Sequence, residues 1–134
     1  MTADTWNGLD AHMFGDSPEL ADELLALVLA GRKTASCWAA VEGLKGAEVG
    51  KPWAVKDSAG VVRCVLETVE LTQRRYCDVD AAFAFEEGED DRTLASWRAA
   101  HKRYFTRNGG FALDMLLNCE RFRVVEAIGE VMEP

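Results

Sequence analysis

The segment from Gly31 to Trp38 reads Gly-Arg-Lys-Thr-Ala-Ser-Cys-Trp and carries residue types suited to nucleophilic chemistry. Lys33 stands three residues before Ser36, and a neutral lysine amine can accept the proton of an attacking hydroxyl. A free lysine, with a pKa of about 10.4, is a poor base at neutral pH. Burial, or the neighbouring cation Arg32, would lower that pKa and activate the pair. The alternative is a solvated lysine after a helix and a serine packed in a strand.

A second reactive group stands in the acidic run from Glu86 to Asp91, which holds five acidic residues in six positions. Such runs are usually solvated surface. Glu87 differs because it shares a helical face with Phe83, which would draw its carboxylate toward the core. A carboxylate beside Lys33 would orient the amine or act itself as an acid or base. Sequence spacing alone does not establish that contact.

The next helical stretch combines aromatic rings with cations. Trp97 and His101 stand four residues apart on its apolar face. The cations of the basic cluster that accompanies them are Arg92, Arg98, Lys102, Arg103 and Arg107. Aromatic rings interleaved with cations suit a nucleobase and its phosphate. The alternative is that both rings are core residues and that the cations are solvated.

Capping residues and periodicity predict the elements that must position these groups. Ser17-Pro18-Glu19 starts a helix that ends before Gly31. Two further helices are predicted over Asp80–Glu87 and Thr93–Thr106, and strands over Thr34–Ala40, Pro52–Lys56, Val61–Thr72 and Arg121–Ile128. Strands and helices without a regular alternation predict an α+β fold around a small barrel or curled sheet.

Length and composition restrict the class of protein. The chain has 134 residues, of which 49% are hydrophobic and 28% charged. This is typical of one globular domain, predicted over residues 1–134. The net charge is −8, so binding to duplex DNA, which needs broad phosphate neutralisation, is not expected. The sequence contains no apolar stretch that would span a membrane, and Met1–Trp6 do not form a secretory signal, so a cytoplasmic location is expected.

The cysteines are widely spaced, with neither a CxxC motif nor paired histidines nearby. They are Cys37, Cys64, Cys77 and Cys119. Because zinc sites normally show closely spaced ligand pairs, we predict no metal site, and we predict no cofactor. Buried free thiols in a reducing compartment are expected instead.

Two blocks of the sequence together resemble the bacterial ASCH (activating signal cointegrator homology) domain family. They read FGDSPELADELLALVLAGRKTASCWAA and FAFEEGEDDRTLASWRAAH, and the resemblance runs from about Trp6 to Ile128. It implies a PUA-like fold, a small mixed β-barrel flanked by about three helices, with RNA or a modified nucleoside in a cleft beside the barrel. Gly31 and Lys33 match the family's GxKxxxxR signature, whereas Trp38 replaces the arginine. The tryptophan would stack on a base or fill the barrel.

One branch of the family is similar to N4-acetylcytidine amidohydrolases, which use a threonine, a lysine and a glutamate. The resemblance places these roles on Ser36, Lys33 and Glu87. Ser36 would attack the acetyl carbonyl, Lys33 would accept its proton, and Glu87 would hold the lysine or shuttle protons. Strand alternation puts Thr34 and Trp38 on the same face as Ser36, which leaves open whether Thr34 or Ser36 presents its hydroxyl to the cleft.

Another branch is linked to RNA binding and single-strand ribonuclease activity, in which Lys33 would stabilise phosphate charge. The leading prediction is a protein that binds RNA or a modified nucleoside and hydrolyses an amide. The alternatives are a ribonuclease and a binding module without catalysis. The predicted partner is single-stranded RNA or a modified nucleoside. The residues predicted to bind it are Arg32, Thr34, Trp38, Arg92, Trp97, Arg98 and His101.

Overall fold

The computed structural model describes residues 8–128, and helices and strands alternate irregularly along them. In chain order the elements are β1 (Ala11–His12), α1 (Pro18–Leu29), β2 (Ala35–Ala39), β3 (Pro52–Lys56), β4 (Val62–Arg75), α2 (Ala81–Glu87), α3 (Leu94–Arg107) and β5 (Leu116–Ala127). Short 3-10 turns follow β2 and β4, at Ala40–Glu42 and Tyr76–Asp78. None of the helices described here has the length and apolarity needed to cross a membrane.

The strands form one mixed sheet in the order β1-β3-β4-β5-β2. β1 runs parallel to β3, and the other neighbouring strands are antiparallel. The predicted α+β class with three helices is confirmed. The sheet itself is open rather than a closed barrel, because within residues 8–128 the edge strands β1 and β2 do not pair. With only two residues, β1 is too short to continue the ladder to β2.

The helix boundaries follow from their capping residues. The side chains of Ser17, Asp80 and Thr93 each accept a hydrogen bond from the backbone N–H of the third residue after them. Pro18 occupies the first helical position of α1, and Gly31 follows its end with a left-handed φ of +77°. The three predicted helices are therefore confirmed to within about two residues at each end.

The four predicted strands are also confirmed, but the sequence does not predict the two-residue β1, and β4 extends to Arg75 rather than ending at Thr72. The last strand begins at Leu116 rather than at Arg121. The four consecutive residues Leu117, Asn118, Cys119 and Glu120 are all buried, so both faces of β5 are covered there. A strand buried on both faces loses the polar–apolar alternation by which a strand is recognised in a sequence.

The hydrophobic core has two parts. One packs α2 and α3 against the sheet through residues such as Phe83 and Trp97. The other packs α1 against the sheet through residues such as Val28, Leu66 and Phe122. The segment that joins α1 to β2 runs from one helical layer to the other and carries Lys33.

Candidate active site

Lys33 is buried just before β2, with only 1% of its side chain exposed. The backbone around it is held on both sides. The N–H groups of Arg32 and Lys33 both donate to the carbonyl oxygen of Leu27, over 2.9 and 3.1 Å. The N–H of Thr34 donates to the carbonyl oxygen of Glu86 over 2.7 Å. Lys33 is therefore fixed where the end of α1 meets the end of α2.

Two carboxylates at the end of α2, those of Glu87 and Glu89, hold the Lys33 ammonium. Its Nζ lies 3.1 Å from Glu87 Oε1 and 2.7 Å from Glu89 Oε2. Gly88 between them has a left-handed φ of +74°, and a Cβ atom there would lie 2.3 Å from the carbonyl oxygen of Arg32. A glycine is needed at this position because only its backbone both fits against Arg32 and makes the turn. The turn brings both carboxylates to one ammonium.

Glu87 is held on its other side by an aromatic pair from α3. Its Oε2 accepts a hydrogen bond of 3.0 Å from Trp97 Nε1. The His101 ring stacks on Trp97, with the centroids 4.2 Å apart. His101 Nδ1 lies 2.9 Å from the Trp97 carbonyl oxygen, and its Nε2 lies 3.6 Å from Glu87 Oε1. The buried carboxylate thus connects the lysine to a histidine.

The charges of this cluster keep Lys33 protonated. Burial disfavours the ammonium, but Glu87 and Glu89 outweigh it and raise the pKa of Lys33 above its usual value. Burial likewise opposes ionisation of Glu87, yet Lys33 and His101 lower its pKa. Burial raises the pKa of Glu89 even though Lys33 acts against it. The predicted net lowering of the Lys33 pKa is therefore wrong: burial acts in the predicted direction, but the two carboxylates outweigh it. Glu89 is the carboxylate that gains a proton more easily.

Ser36 lines the cavity that also contains Lys33 and Glu87. Its hydroxyl has no hydrogen-bond partner among residues 8–128. Thr34 is exposed and lies outside that cavity, with its hydroxyl 3.4 Å from the carbonyl oxygen of Glu86. Of the two hydroxyls, that of Ser36 is therefore the one that faces the cleft.

Two adjoining cavities meet at Ser36. The charged cavity, of about 230 Å³, has walls that include Lys33, Glu87, Glu89 and His101. The aromatic cavity, of about 180 Å³, lies at the gap between β1 and β2, and its walls include His12, Phe14, Trp38, Trp53 and Tyr104. The residues that line both cavities are Phe14, Gly15, Ser36, Cys37 and Tyr104. Because sites for drug-sized ligands enclose roughly 300–1,000 Å³, each cavity suits a group the size of one nucleobase or its substituent.

Trp38, which stands at the arginine position of the family signature, is a wall of the aromatic cavity. Its Nε1 donates to the carbonyl oxygen of Gly43 over 2.7 Å. The amide of Asn118, its partner across the β2–β5 ladder, donates to the same oxygen over 3.0 Å. The indole is therefore held in a fixed position in the wall of the aromatic cavity.

Two of the predicted substrate-binding arginines stabilise the backbone instead. Arg32 donates to the carbonyl oxygens of Gly88 and Asp90, over 2.7 and 2.6 Å. Arg92 donates to the carbonyl oxygen of Phe85 over 3.0 Å. Its guanidinium carbon also lies 3.6 Å from the centroid of the Phe85 ring. Neither lines the two cavities. Their hydrogen bonds fix the loop that carries Glu89.

Three more predicted residues also lie outside the two cavities: Thr34, Trp97 and Arg98. Trp97 is buried beneath His101 and contacts the site through its hydrogen bond to Glu87 and its stacking on His101. Arg98 lines a separate surface depression on the outer side of α3. Of the predicted site residues, the structure brings Lys33, Ser36, Trp38, Glu87 and His101 together around the cleft.

Sequence reasoning missed several cleft residues. Glu89 was treated as part of a solvated acidic run, although the glycine before it marks a helix end that turns the chain back. Trp53, Tyr104 and Glu120 were not recognised as cleft residues. Arg103, predicted only as one of a basic cluster, lines the charged cavity and forms no ion pair within the described range.

One group of side chains has ligand atoms close enough to suggest a metal site. Those of Cys37, Glu87 and His101 lie within 4.8 Å of one another. However, Lys33 and Trp97 already engage the two oxygens of Glu87. Burial and the charge of Glu87 raise the pKa of the Cys37 thiol and disfavour the thiolate that a metal requires. A buried ammonium beside the group also repels a cation, so these residues fit a metal ion poorly.

The fold and this site define a PUA-like α+β domain whose cleft lies at the open edge of the sheet. The ASCH domain family model matches residues 10–126 of the chain. The chain therefore belongs to the ASCH domain family, as its sequence blocks predicted. The PUA-like fold of this family is often linked to RNA binding.

Solved structures agree with this assignment. The chain is similar to a crystal structure of an ASCH domain from Lactobacillus crispatus, with 32% identity and a TM-score of 0.80 over 91% of this chain and 82% of that one. It is also similar to a crystal structure of a protein from Enterococcus faecalis, with 30% identity and a TM-score of 0.78 over 88% and 77%. No curated protein sequence matches the chain significantly.

Proposed function

We propose that this ASCH domain protein binds a modified pyrimidine nucleoside, free or in single-stranded RNA, and hydrolyses an N4-acetyl amide on it. The observation that carries the proposal is the buried Lys33 ammonium, held between two carboxylates in a cavity that the unpaired hydroxyl of Ser36 also lines. The adjoining aromatic cavity supplies faces on which a base can stack. Ser36, at the boundary of the two, meets the substituent of a base held there.

The first step needs a proton acceptor, which protonated Lys33 is not. The 2.7 Å hydrogen bond from Lys33 Nζ to Glu89 Oε2 gives the ammonium proton a place to go. Neutral Lys33 then takes the proton of Ser36 as Oγ bonds to the acetyl carbonyl carbon. The re-formed ammonium stabilises the negative oxygen of the tetrahedral intermediate. Glu87, held by Trp97, keeps the amine in position.

The second half of the reaction returns every group to its starting state. The bond from the carbonyl carbon to N4 breaks, and N4 takes a proton from Lys33 to leave as the amine of cytidine. A water molecule, deprotonated by the neutral lysine, then attacks the acetyl-serine. Ser36 takes the proton of Lys33 as it leaves, acetic acid is released and ionises in water, and Glu89 then returns its proton to Lys33. The overall reaction consumes one water for each amide hydrolysed.

The charges around the cleft favour a neutral group over a phosphodiester. Four carboxylates line the charged cavity: Glu23, Glu87, Glu89 and Asp90. They oppose a bound phosphate, whereas an amide carries no charge to repel. A ribonuclease is the second candidate, because the unpaired Arg103 and the imidazole of His101 share that cavity with Lys33.

All four cysteines are unpaired, which supports a reducing compartment and hence the predicted cytoplasmic location.

The proposal is tested by measuring cytidine release from N4-acetylcytidine and from an acetylated single-stranded RNA. Removing a group that transfers protons costs about 10²- to 10⁴-fold, so Lys33→Ala should lose at least that factor. Lys56→Ala, a lysine outside the cavities, is the matched control and should keep full activity. Absence of release by the wild-type protein, or equal release by Lys33→Ala, would contradict the proposal. RNA cleavage without cytidine release would favour the ribonuclease.

A further inference from the structure

A buried carboxyl group that the proposed chemistry does not use lies in the aromatic cavity. Glu120 is 3% exposed, yet it forms part of the cavity wall. It stands directly opposite Ser36 in the β2–β5 ladder, and side chains of such a pair lie on one face of a sheet. The position of Glu120 relative to the proposed nucleophile is therefore fixed by backbone pairing.

The environment of Glu120 contains hydrogen-bond donors but no charge to balance a carboxylate. Its Oε2 accepts a hydrogen bond from the hydroxyl of Thr68, whose oxygen accepts one of 3.2 Å from Trp53 Nε1. No lysine, arginine or histidine within residues 8–128 forms an ion pair with it. Lys51, which lines the same cavity, pairs with Asp10 at 2.9 Å. Burial accordingly raises the pKa of Glu120.

This arrangement gives the carboxyl group a defined direction of hydrogen bonding. Because the Thr68 hydroxyl donates to Oε2, that oxygen is the accepting one, and when the carboxyl group is neutral its proton is on Oε1. A neutral carboxyl thus offers one donor beside one acceptor. Its complement is an edge that places an acceptor ring nitrogen beside an N–H, as N3 and N4–H of cytosine do. Uracil in the same position would set its N3–H against the Oε1 proton.

We propose that Glu120 is the specificity-determining residue of the aromatic cavity, where it reads the N3 and N4–H edge of an unpaired cytosine-type base. This inference rests on the proposed function for the presence of a nucleoside in the cleft, and it adds the residue that selects the base. The indoles of Trp38 and Trp53 supply stacking surface. The opposite placement of Glu120 and Ser36 keeps the reading group and the reacting group on one face of the sheet.

The test measures equilibrium binding of cytidine, N4-acetylcytidine and uridine by calorimetry, which does not depend on turnover. Wild-type protein should bind both cytidines at least about 10-fold more tightly than uridine, since a mismatched edge leaves a buried group unpaired. Glu120→Ala should weaken cytidine binding by about 10- to 100-fold. Glu120→Gln keeps a donor beside an acceptor and should restore most of the affinity. Glu19→Ala, which changes an exposed glutamate on α1, is the control.

The outcomes separate this inference from the proposed hydrolysis. Selective cytidine binding that depends on Glu120, without cytidine release from the acetylated substrate, keeps the inference and rejects the hydrolysis. Hydrolysis with equal binding of cytidine and uridine overturns the inference alone. Weak binding by Glu120→Gln, as weak as by Glu120→Ala, also overturns it, because an ionised carboxylate would then be the recognising form. The preference of the wild-type protein for cytidine over uridine tests the inference even where a variant fails to fold.

Discussion

A Cβ atom on Gly88 would lie 2.3 Å from the carbonyl oxygen of Arg32 and 2.9 Å from Cα of Lys33. The end of α2 therefore packs on the segment before β2 with no room for a side chain. This contact sets the distance from Lys33 to its two carboxylates, one on each side of the glycine.

Gly88→Ala should destabilise the protein and displace Glu87 and Glu89 from Lys33. Left-handed backbone costs a residue other than glycine about 1–3 kcal/mol, and the clash with Arg32 adds to that cost. The free energy of unfolding in urea measures the loss. Gly60→Ala is the matched control, because Gly60 has a similar φ of +82° with open space around it. Equal losses for the two variants would mean that the close packing at Gly88 has no energetic role.

Removing the Lys33 ammonium should leave an uncompensated charge in the core. Lys33→Met is expected to lower the free energy of unfolding by about 3–5 kcal/mol, as for other broken buried ion pairs. Adding Glu87→Gln to that variant should recover part of the loss, because the neutral amide needs no counter-ion. Urea denaturation of the two single variants and the double variant measures this coupling.

The control for that experiment is an exposed ion pair between a lysine and a glutamate. Lys45 lies 2.6 Å from Glu42, and both side chains are almost half exposed. Exposed pairs contribute about 0–1 kcal/mol, so Lys45→Met should change stability little. A loss for Lys33→Met no larger than that for Lys45→Met would contradict the description of Lys33 as a buried, charged lysine.

The ion pair between Arg107 of α3 and Asp16, in the loop before α1, should make the free energy of unfolding depend on pH in the acid range. Hydrogen bonds from Arg107 and Asn108 lower the pKa of Asp16 from 3.8 to about 2. A carboxyl group whose pKa is lowered by folding contributes stability above its unfolded pKa and loses it as pH falls through the folded value.

Asp16→Asn tests this expectation. The difference in unfolding free energy between wild type and variant should be present at pH 7 and shrink between about pH 4 and 2. Chemical denaturation at several pH values measures it. Asp114→Asn changes an exposed aspartate in another loop and serves as the control. A difference between wild type and Asp16→Asn that stays constant down to pH 2 would show that Asp16 forms no such pair.

Local signals predict much of this fold, because they act over a few residues. Ser17-Pro18 and Gly31 bound α1 in the structure as in the sequence. The shared helical face of Phe83 and Glu87 correctly predicts that the Glu87 side chain turns inward. The family resemblance supplies the contact between Lys33 and Glu87, which are 54 residues apart and beyond the reach of any local pattern.

The remaining features of the site depend on contacts between residues that are far apart in the sequence. Glu89 lies in an acidic run and reaches Lys33 only because Gly88 turns the chain. Trp97 has the spacing of a stacking residue, but its indole is used to hold Glu87. Glu120 is polar yet buried because both faces of β5 are covered at residues 117–120, which is a result of tertiary packing.

Attack by Ser36 on the acetyl carbonyl is tested by mass spectrometry of the protein quenched during turnover of N4-acetylcytidine. We expect a substrate-dependent acetyl group on the peptide that carries Ser36. The adduct should be absent from Ser36→Ala and present in Thr34→Ala, whose hydroxyl lies outside the cleft. Hydrolysis by Ser36→Ala at the wild-type rate, without an acetylated peptide, would show that Ser36 is not the nucleophile.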